Sequence, residues 1–191
     1  RIKDGAFDAL EELRAQGVKS LVMLTGDVRS AAKTVASSLN FDMVKAELTL
    51  DGKITAVEYM LSKKATGACL AFVGDGVGDA PVMTHADIGI ALGAVNEYSA
   101  IDAADVVLMD EDIRVLPEAR SLCRSVTDTA GQNILLSLAA KAILVVLGVF
   151  GVINIWIAAL AELCVLAAAI ANAGKNDIKF EKENIDERSV Q

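Results

Sequence analysis

From Ile134 to Ala173 the chain is almost wholly apolar, and Lys141 and Glu162 are its only formal charges there. The stretch is about twice the ~20 residues that cross a bilayer as a helix. Gly148, Gly151 and Asn154 fall near its middle, so it reads as two spans joined by a very short turn. A helical hairpin satisfies its own backbone polar groups, as a lipid environment demands. The alternative is a helical pair buried in a soluble core. Arg114, Arg120 and Arg124 precede the first span, Lys175 and Lys179 follow the second, and the turn carries neither Lys nor Arg. The positive-inside rule then places both ends of the hairpin, and everything before it, in the cytoplasm of a multi-pass membrane protein. Trp156, near the turn, suits the opposite interface.

The rest of the chain must hold nearly all the charge. Hydrophobic residues make up 53% of the sequence and charged residues 23%, a combination explained by segregation into a water-soluble part and a lipid-soluble part. A net charge of −8 argues against a nucleic-acid partner, which would need a basic face. Cys69, Cys123 and Cys164 have no paired spacing, so neither a zinc-ligand cluster nor a disulfide framework is indicated, and buried or lipid-facing thiols are expected.

Residues 1–112 alternate between helical and strand-like segments. Helices are expected over Ala6–Ala15, Ser30–Leu39 and Ile54–Lys64, and strands over Val18–Leu24, Cys69–Val73, Ile88–Leu92 and Val106–Met109. Such alternation implies right-handed crossovers and a parallel sheet covered on both faces, a doubly wound α/β domain. Ligands of these sheets bind beyond the carboxyl ends of the strands, where Asp27 and Asp75–Asp79 fall. The expected organisation is an incomplete α/β domain over 1–112, a polar connecting helix over 113–132, two membrane helices over 133–174, and a charged, unstructured tail over 175–191.

Three segments could carry chemistry. In Val73-Gly74-Asp75-Gly76-Val77-Gly78-Asp79-Ala80-Pro81, a strand delivers Asp75 to the sheet edge and Asp79 stands near the start of the next helix. Two such carboxylates suit Mg²⁺, which takes one or two of them with water and phosphate oxygens; an ordinary Gly/Asp turn is the alternative. Leu24-Thr25-Gly26-Asp27 makes a similar edge, where a hydroxyl and backbone N–H groups can hold a phosphoryl oxygen. Lys53, at the start of a helix, could neutralise that group or could be a solvated surface charge.

Taken in order, these segments resemble the phosphorylation domain of P-type ATPases, which has a haloacid dehalogenase-like fold. Gln132-Asn133, Lys141 two turns later, and Leu160-Ala161-Glu162 resemble the last two membrane helices of the zinc/cadmium/lead-exporting branch. The Tyr-Asn and Met-x-x-Ser-Ser patterns of the copper-exporting branch are absent. The resemblance implies an ATP-driven exporter of a divalent heavy metal such as Zn²⁺ or Cd²⁺, working through an aspartyl phosphate. It assigns Thr25 and Lys53 to phosphate contact, with Asp27 beside them, and Asp75 and Asp79 to the Mg²⁺ site. Glu162 takes the place of an Asp that helps bind the transported metal, with Lys141 as its charged neighbour. A charge at mid-membrane depth usually marks a pathway or a pair, and a purely structural ion pair is the other reading.

The phosphorylated Asp-Lys-Thr-Gly-Thr segment, the nucleotide-binding domain, the Thr-Gly-Glu loop and the Cys-Pro-x motif of that family have no counterpart here. The expectation is therefore a C-terminal piece of a longer pump, inactive alone, with ATP bound by an upstream domain. The alternative is a catalytically inactive, membrane-anchored relative that pairs with an N-terminal half or a full-length pump. Three positions depart from the pattern: Gly78 stands for Asn, Leu50 for Pro, and Glu162 for Asp.

Overall fold

The structure is a computed structural model that describes residues 2–74, 76–93 and 98–189, with the side chains of Ser99 and of residues beyond 174 outside the description. It forms two compact units, residues 1–119 and 120–191.

In the first unit α1 (Ala6–Ala15), β1 (Val22–Leu24), α2 (Arg29–Ser38), β2 (Met43–Lys45), α3 (Leu50–Lys63), β3 (Ala71–Gly74), α4 (Ala80–Met83), β4 (Ile88–Leu92), α5 (Tyr98–Ala103) and β5 (Val106–Leu108) follow in order. Every strand pair is parallel, as the alternation of elements predicts. The strands lie in two hydrogen-bonded pieces, β1–β2 and β3–β4–β5. β2 is absent from the sequence expectation. Its three residues show no alternation to read, and its pairing with β1 is a matter of backbone bonds alone.

Two apolar clusters hold the unit together. Val57, Phe72, Val82, Met83, Ala91 and Ala100 form one, with Leu24 and Ile54 packed against it. Ala6, Leu10, Leu13 and Leu39 form the other, to which Ile113 and Leu116 add. Polar ties fix the outer elements. Arg14 donates to the Asp42 carboxylate at 3.0 Å while the Leu21 N–H reaches the same oxygen at 2.7 Å, joining α1 to the β1–β2 layer. Lys64, just past α3, donates to Asp87 at 2.6 Å, and Asp87 also accepts the Leu70 N–H at 2.8 Å. Cys69 is exposed rather than buried.

The second unit consists of most of α6 (Val115–Val149) and α7 (Ile155–Ser189). The polar segment before the first apolar span is thus continuous with it in one helix. The turn follows from two residues. Gly151 takes φ +67°, the left-handed region that glycine enters freely. Asn154 then caps α7 by accepting the Ile157 N–H at 2.9 Å. Both helices are long and apolar enough to cross a membrane. The tail differs from its expected disorder, since α7 continues to Ser189. After Gly174 the sequence has no Gly or Pro and is rich in Lys and Glu, so nothing local stops the helix.

Across the hairpin a part-buried line runs along α6 through Thr129, Asn133, Ser137, Ala140, Leu144 and Leu147. Its counterpart on α7 is Ala158, Ala161, Val165, Ala169 and Asn172. The 3- and 4-residue steps are those of one helix face.

Candidate functional site

Thr49 places Lys53. Its hydroxyl accepts the Gly52 N–H at 3.2 Å, so α3 starts at Leu50, earlier than the sequence suggests, and Lys53 sits one turn inside it. Leu50 occupies the first helical position, which proline favours and a leucine fills without strain. Lys53 Nζ meets Asp79 Oδ1 at 2.6 Å, with side-chain exposures of 20% and 17%.

Asp79 arrives from the other side. After β3 the chain turns through a single 3₁₀ turn, Val77–Asp79, and enters α4 with Pro81 near its start. Gly74 makes this possible, because a Cβ there would lie 2.7 Å from Asp79 Cβ and 2.6 Å from Met83 Cε. The carboxylate therefore packs directly on the carboxyl end of β3. Asp75, the next residue in the chain, lies outside the described residues.

Thr25 and Asp27 lie on the loop after β1. The Asp27 N–H and carboxylate both engage the Thr25 hydroxyl, each at 3.1 Å, closing the turn on itself. The Thr25 carbonyl accepts the Leu48 N–H at 3.1 Å, and the Asp27 carbonyl accepts the Glu47 N–H at 2.9 Å. The segment that leads into the Lys53 helix is thus fastened to the Thr25–Asp27 loop. Lys53 and Asp79 are brought together directly, whereas Thr25 and Asp27 are linked to them through this backbone.

The donor chemistry fits Mg²⁺. A part-covered carboxylate pressed on a strand end, with a second one four residues earlier in sequence, matches the hard oxygen ligands the ion takes. Among the described residues no cluster of three His, Cys, Asp or Glu side chains is found, so water and phosphate oxygens would complete the shell. Gly78 leaves open space where a side chain would point.

In the hairpin Lys141 Nζ lies 3.2 Å from Glu162 Oε1, with the two side chains 61% and 59% exposed. Both line a cavity of about 410 Å³ with Ser137, Ala140 and Leu163. The pair couples two charges that would be costly singly within a bilayer. Nearer the far end, Asn133 Nδ2 donates to the Ala169 carbonyl at 3.1 Å and Asn133 Oδ1 accepts Asn172 Nδ2 at 2.9 Å. Asn172 has no place in the sequence-based site, because its partner lies 39 residues away.

A family model for haloacid dehalogenase-like hydrolases matches residues 1–87. The chain is 41% identical over 172 residues to the zinc-transporting ATPase of Synechocystis sp., a match covering 90% of this chain and 24% of that protein. It is 37% identical, over the same shares, to the cadmium, zinc and cobalt-transporting ATPase of Bacillus subtilis. The crystal structure of a zinc-transporting PIB-type ATPase in the E2.Pi state matches with TM-score 0.83 and 35% identity, covering 92% of this chain and 28% of that one. The chain spans about a quarter of the length of the curated relatives it matches. It belongs to the P-type ATPase family, of which it presents a haloacid dehalogenase-like portion followed by two long apolar helices.

Proposed function

We propose that this chain supplies the phosphate- and Mg²⁺-binding side of an ATP-driven heavy-metal exporter, together with part of the membrane site for its cargo. The observation that carries the reading is the Lys141–Glu162 pair at 3.2 Å in an apolar hairpin, in the same chain as the Lys53–Asp79 pair. One fits a cation path through a membrane, the other a phosphoryl site.

In this reading a separate segment of the pump binds ATP and offers the aspartyl nucleophile, since no Asp-Lys-Thr-Gly-Thr occurs here. Lys53 neutralises charge on the transferring phosphoryl group, and the Thr25 hydroxyl and neighbouring N–H groups hold its oxygens. Asp75 and Asp79 would hold Mg²⁺, which when bound offsets the negative charge of the phosphates. Before that, Lys53 keeps Asp79 paired, so the carboxylate is positioned without standing as a lone charge. Glu162 is a carboxylate ligand for a divalent cargo such as Zn²⁺ or Cd²⁺, and Lys141 is its counter-ion when no cargo is present. Both ends of the hairpin and the α/β unit lie in the cytoplasm, which the Arg and Lys flanks support.

The test joins this chain to the upstream portion of the zinc-transporting relative. The hybrid should form a metal-dependent, hydroxylamine-sensitive phosphoenzyme from ATP, and Asp75→Ala or Asp79→Ala should abolish it. Alanine variants that phosphorylate normally would remove the magnesium assignment.

A further inference from the structure

We propose that the Asn133–Asn172 amide pair is a register clasp, which holds α6 and α7 at the one axial offset that sets Lys141 level with Glu162. Its consequence for metal binding rests on the reading of Glu162 given above; the clasp itself does not.

The seam between the helices does little to choose an offset. Between the clasp and the ion pair it presents Ala169 and Val165 on α7, with Ser137 and Ala140 on α6, small or apolar side chains that repack readily after a shift of one turn. In lipid no hydrophobic force opposes such a slide, because the tails are as apolar as the seam. A polar side chain at a seam position is what fixes register in helical pairs.

Asn133 meets that need in a way one offset alone allows. Its Nδ2 binds a backbone carbonyl at Ala169 while its Oδ1 takes the Asn172 amide, at 3.1 and 2.9 Å. Ala169 and Asn172 are three residues apart, so they share one face of α7, and the amide engages both only when it stands between them. The helices run antiparallel. Going from Asn133 to Lys141 on α6 therefore matches going back on α7 from midway between Ala169 and Asn172 to Glu162, about 12–13 Å along each helix. A slip of one turn would offset Lys141 from Glu162 by about 5.4 Å, which is more than the 3.2 Å that now separates their charged atoms.

The test uses the whole chain, with Cys69, Cys123 and Cys164 replaced by Ser, in phosphatidylcholine–phosphatidylglycerol vesicles. Ala140→Cys is combined in turn with Leu163→Cys, Ala159→Cys or Ala167→Cys, and a short bifunctional thiol reagent reports which pair is level. The 140/163 pair should dominate when the clasp is intact. Asn133→Leu or Asn172→Leu should spread cross-linking to the pairs one turn away, lowering the 140/163 share several-fold. These changes make the spans more apolar, so insertion is preserved. Asn172→Gln, which keeps an amide, should retain the native pattern, as should Ser137→Ala. Leucine variants that still cross-link almost wholly at 140/163 would overturn the proposal. Cd²⁺ binding is measured alongside on vesicles of the cysteine-free chain carrying the same Asn133→Leu or Asn172→Leu change, because introduced thiols would themselves bind Cd²⁺. Slipped variants that also bind Cd²⁺ more weakly support the clasp and its consequence together. Slipped variants with Cd²⁺ binding indifferent to Glu162→Gln support the clasp, and it is the metal assignment that fails.

Discussion

Lys53 Nζ and Asp79 Oδ1 lie 2.6 Å apart although their elements are separated by the whole of β3 and most of α3. Two local devices create that distance. Thr49 starts α3 early enough to put Lys53 on its first turns, and Gly74 removes the Cβ that would hold Asp79 off the end of β3. At the proposed phosphate site the pair would present a cation and an anion already matched, so that binding of a phosphoryl group and Mg²⁺ would exchange partners instead of exposing charge.

Replacing Lys53 by Met should therefore lower the rate of phosphoenzyme formation in the hybrid pump by about 10²–10³, the usual effect of losing one preorganised charge donor. The fold should lose only about 1–2 kcal/mol, between the value of an exposed pair and that of a buried one. Rapid-quench phosphorylation and thermal unfolding measure the two effects separately. A Met variant with wild-type phosphorylation would place Lys53 among surface charges.

Gly74→Ala probes the same geometry from the strand. The added methyl would meet Asp79 Cβ at 2.7 Å, so the carboxylate must move. We expect a higher Mg²⁺ requirement for phosphorylation and a stability loss of about 1–3 kcal/mol from overpacking. An Ala variant with an unchanged Mg²⁺ titration would show that the close approach is incidental.

Gly78→Asn should do the reverse. Nothing lies within 4 Å of a Cβ at that position and its backbone is not left-handed, so the side chain fits. The related pumps, by the sequence resemblance, carry an amide there beside Mg²⁺ and phosphate. The substitution should lower the Mg²⁺ concentration giving half-maximal phosphoenzyme while changing stability by no more than about 0.5 kcal/mol. An unaltered titration would show that an amide at position 78 takes no part in Mg²⁺ binding.

Acid should loosen the α/β unit through carboxylates that include Asp87 and Asp42. The Lys64 ammonium, with the Leu70 N–H, holds the Asp87 carboxyl below its ordinary 3.8. The Leu21 N–H, with the Arg14 guanidinium, does the same for Asp42. A carboxyl depressed in the folded state contributes stability that is fully present above pH 3.8 and is lost as the pH falls below it. The thermal midpoint should thus fall from about pH 4 downward, and Asp42→Asn and Asp87→Asn should each flatten that dependence. Identical profiles for wild type and both variants would contradict the assignment.

Much of this was legible in the sequence where chemistry and periodicity coincide. The apolar run broken at Gly151 reads as a hairpin, Ala6–Ala15 is a helix to the residue, and Ile88–Leu92 is a strand to the residue. Lys53 and Asp79 could be named, but not their contact, because Thr49 as a cap and Gly74 as a clearance act only in three dimensions. β2 and α5 were missed as short elements fixed by neighbours and not by their own pattern. Asn172 was missed for a similar reason: an asparagine near the end of an apolar run carries no signal until Asn133 is seen across from it.

In the proposed pump the hairpin and the phosphate site serve one transport cycle. Phosphoenzyme formation from ATP, measured against Zn²⁺ and Cd²⁺ concentration in the hybrid pump with Glu162 and with Glu162→Gln, tests it most directly. A metal-dependent phosphoenzyme is expected, with a metal requirement that rises sharply or disappears from range in the Gln variant. An unchanged metal dependence would contradict it and reduce Lys141–Glu162 to a structural pair.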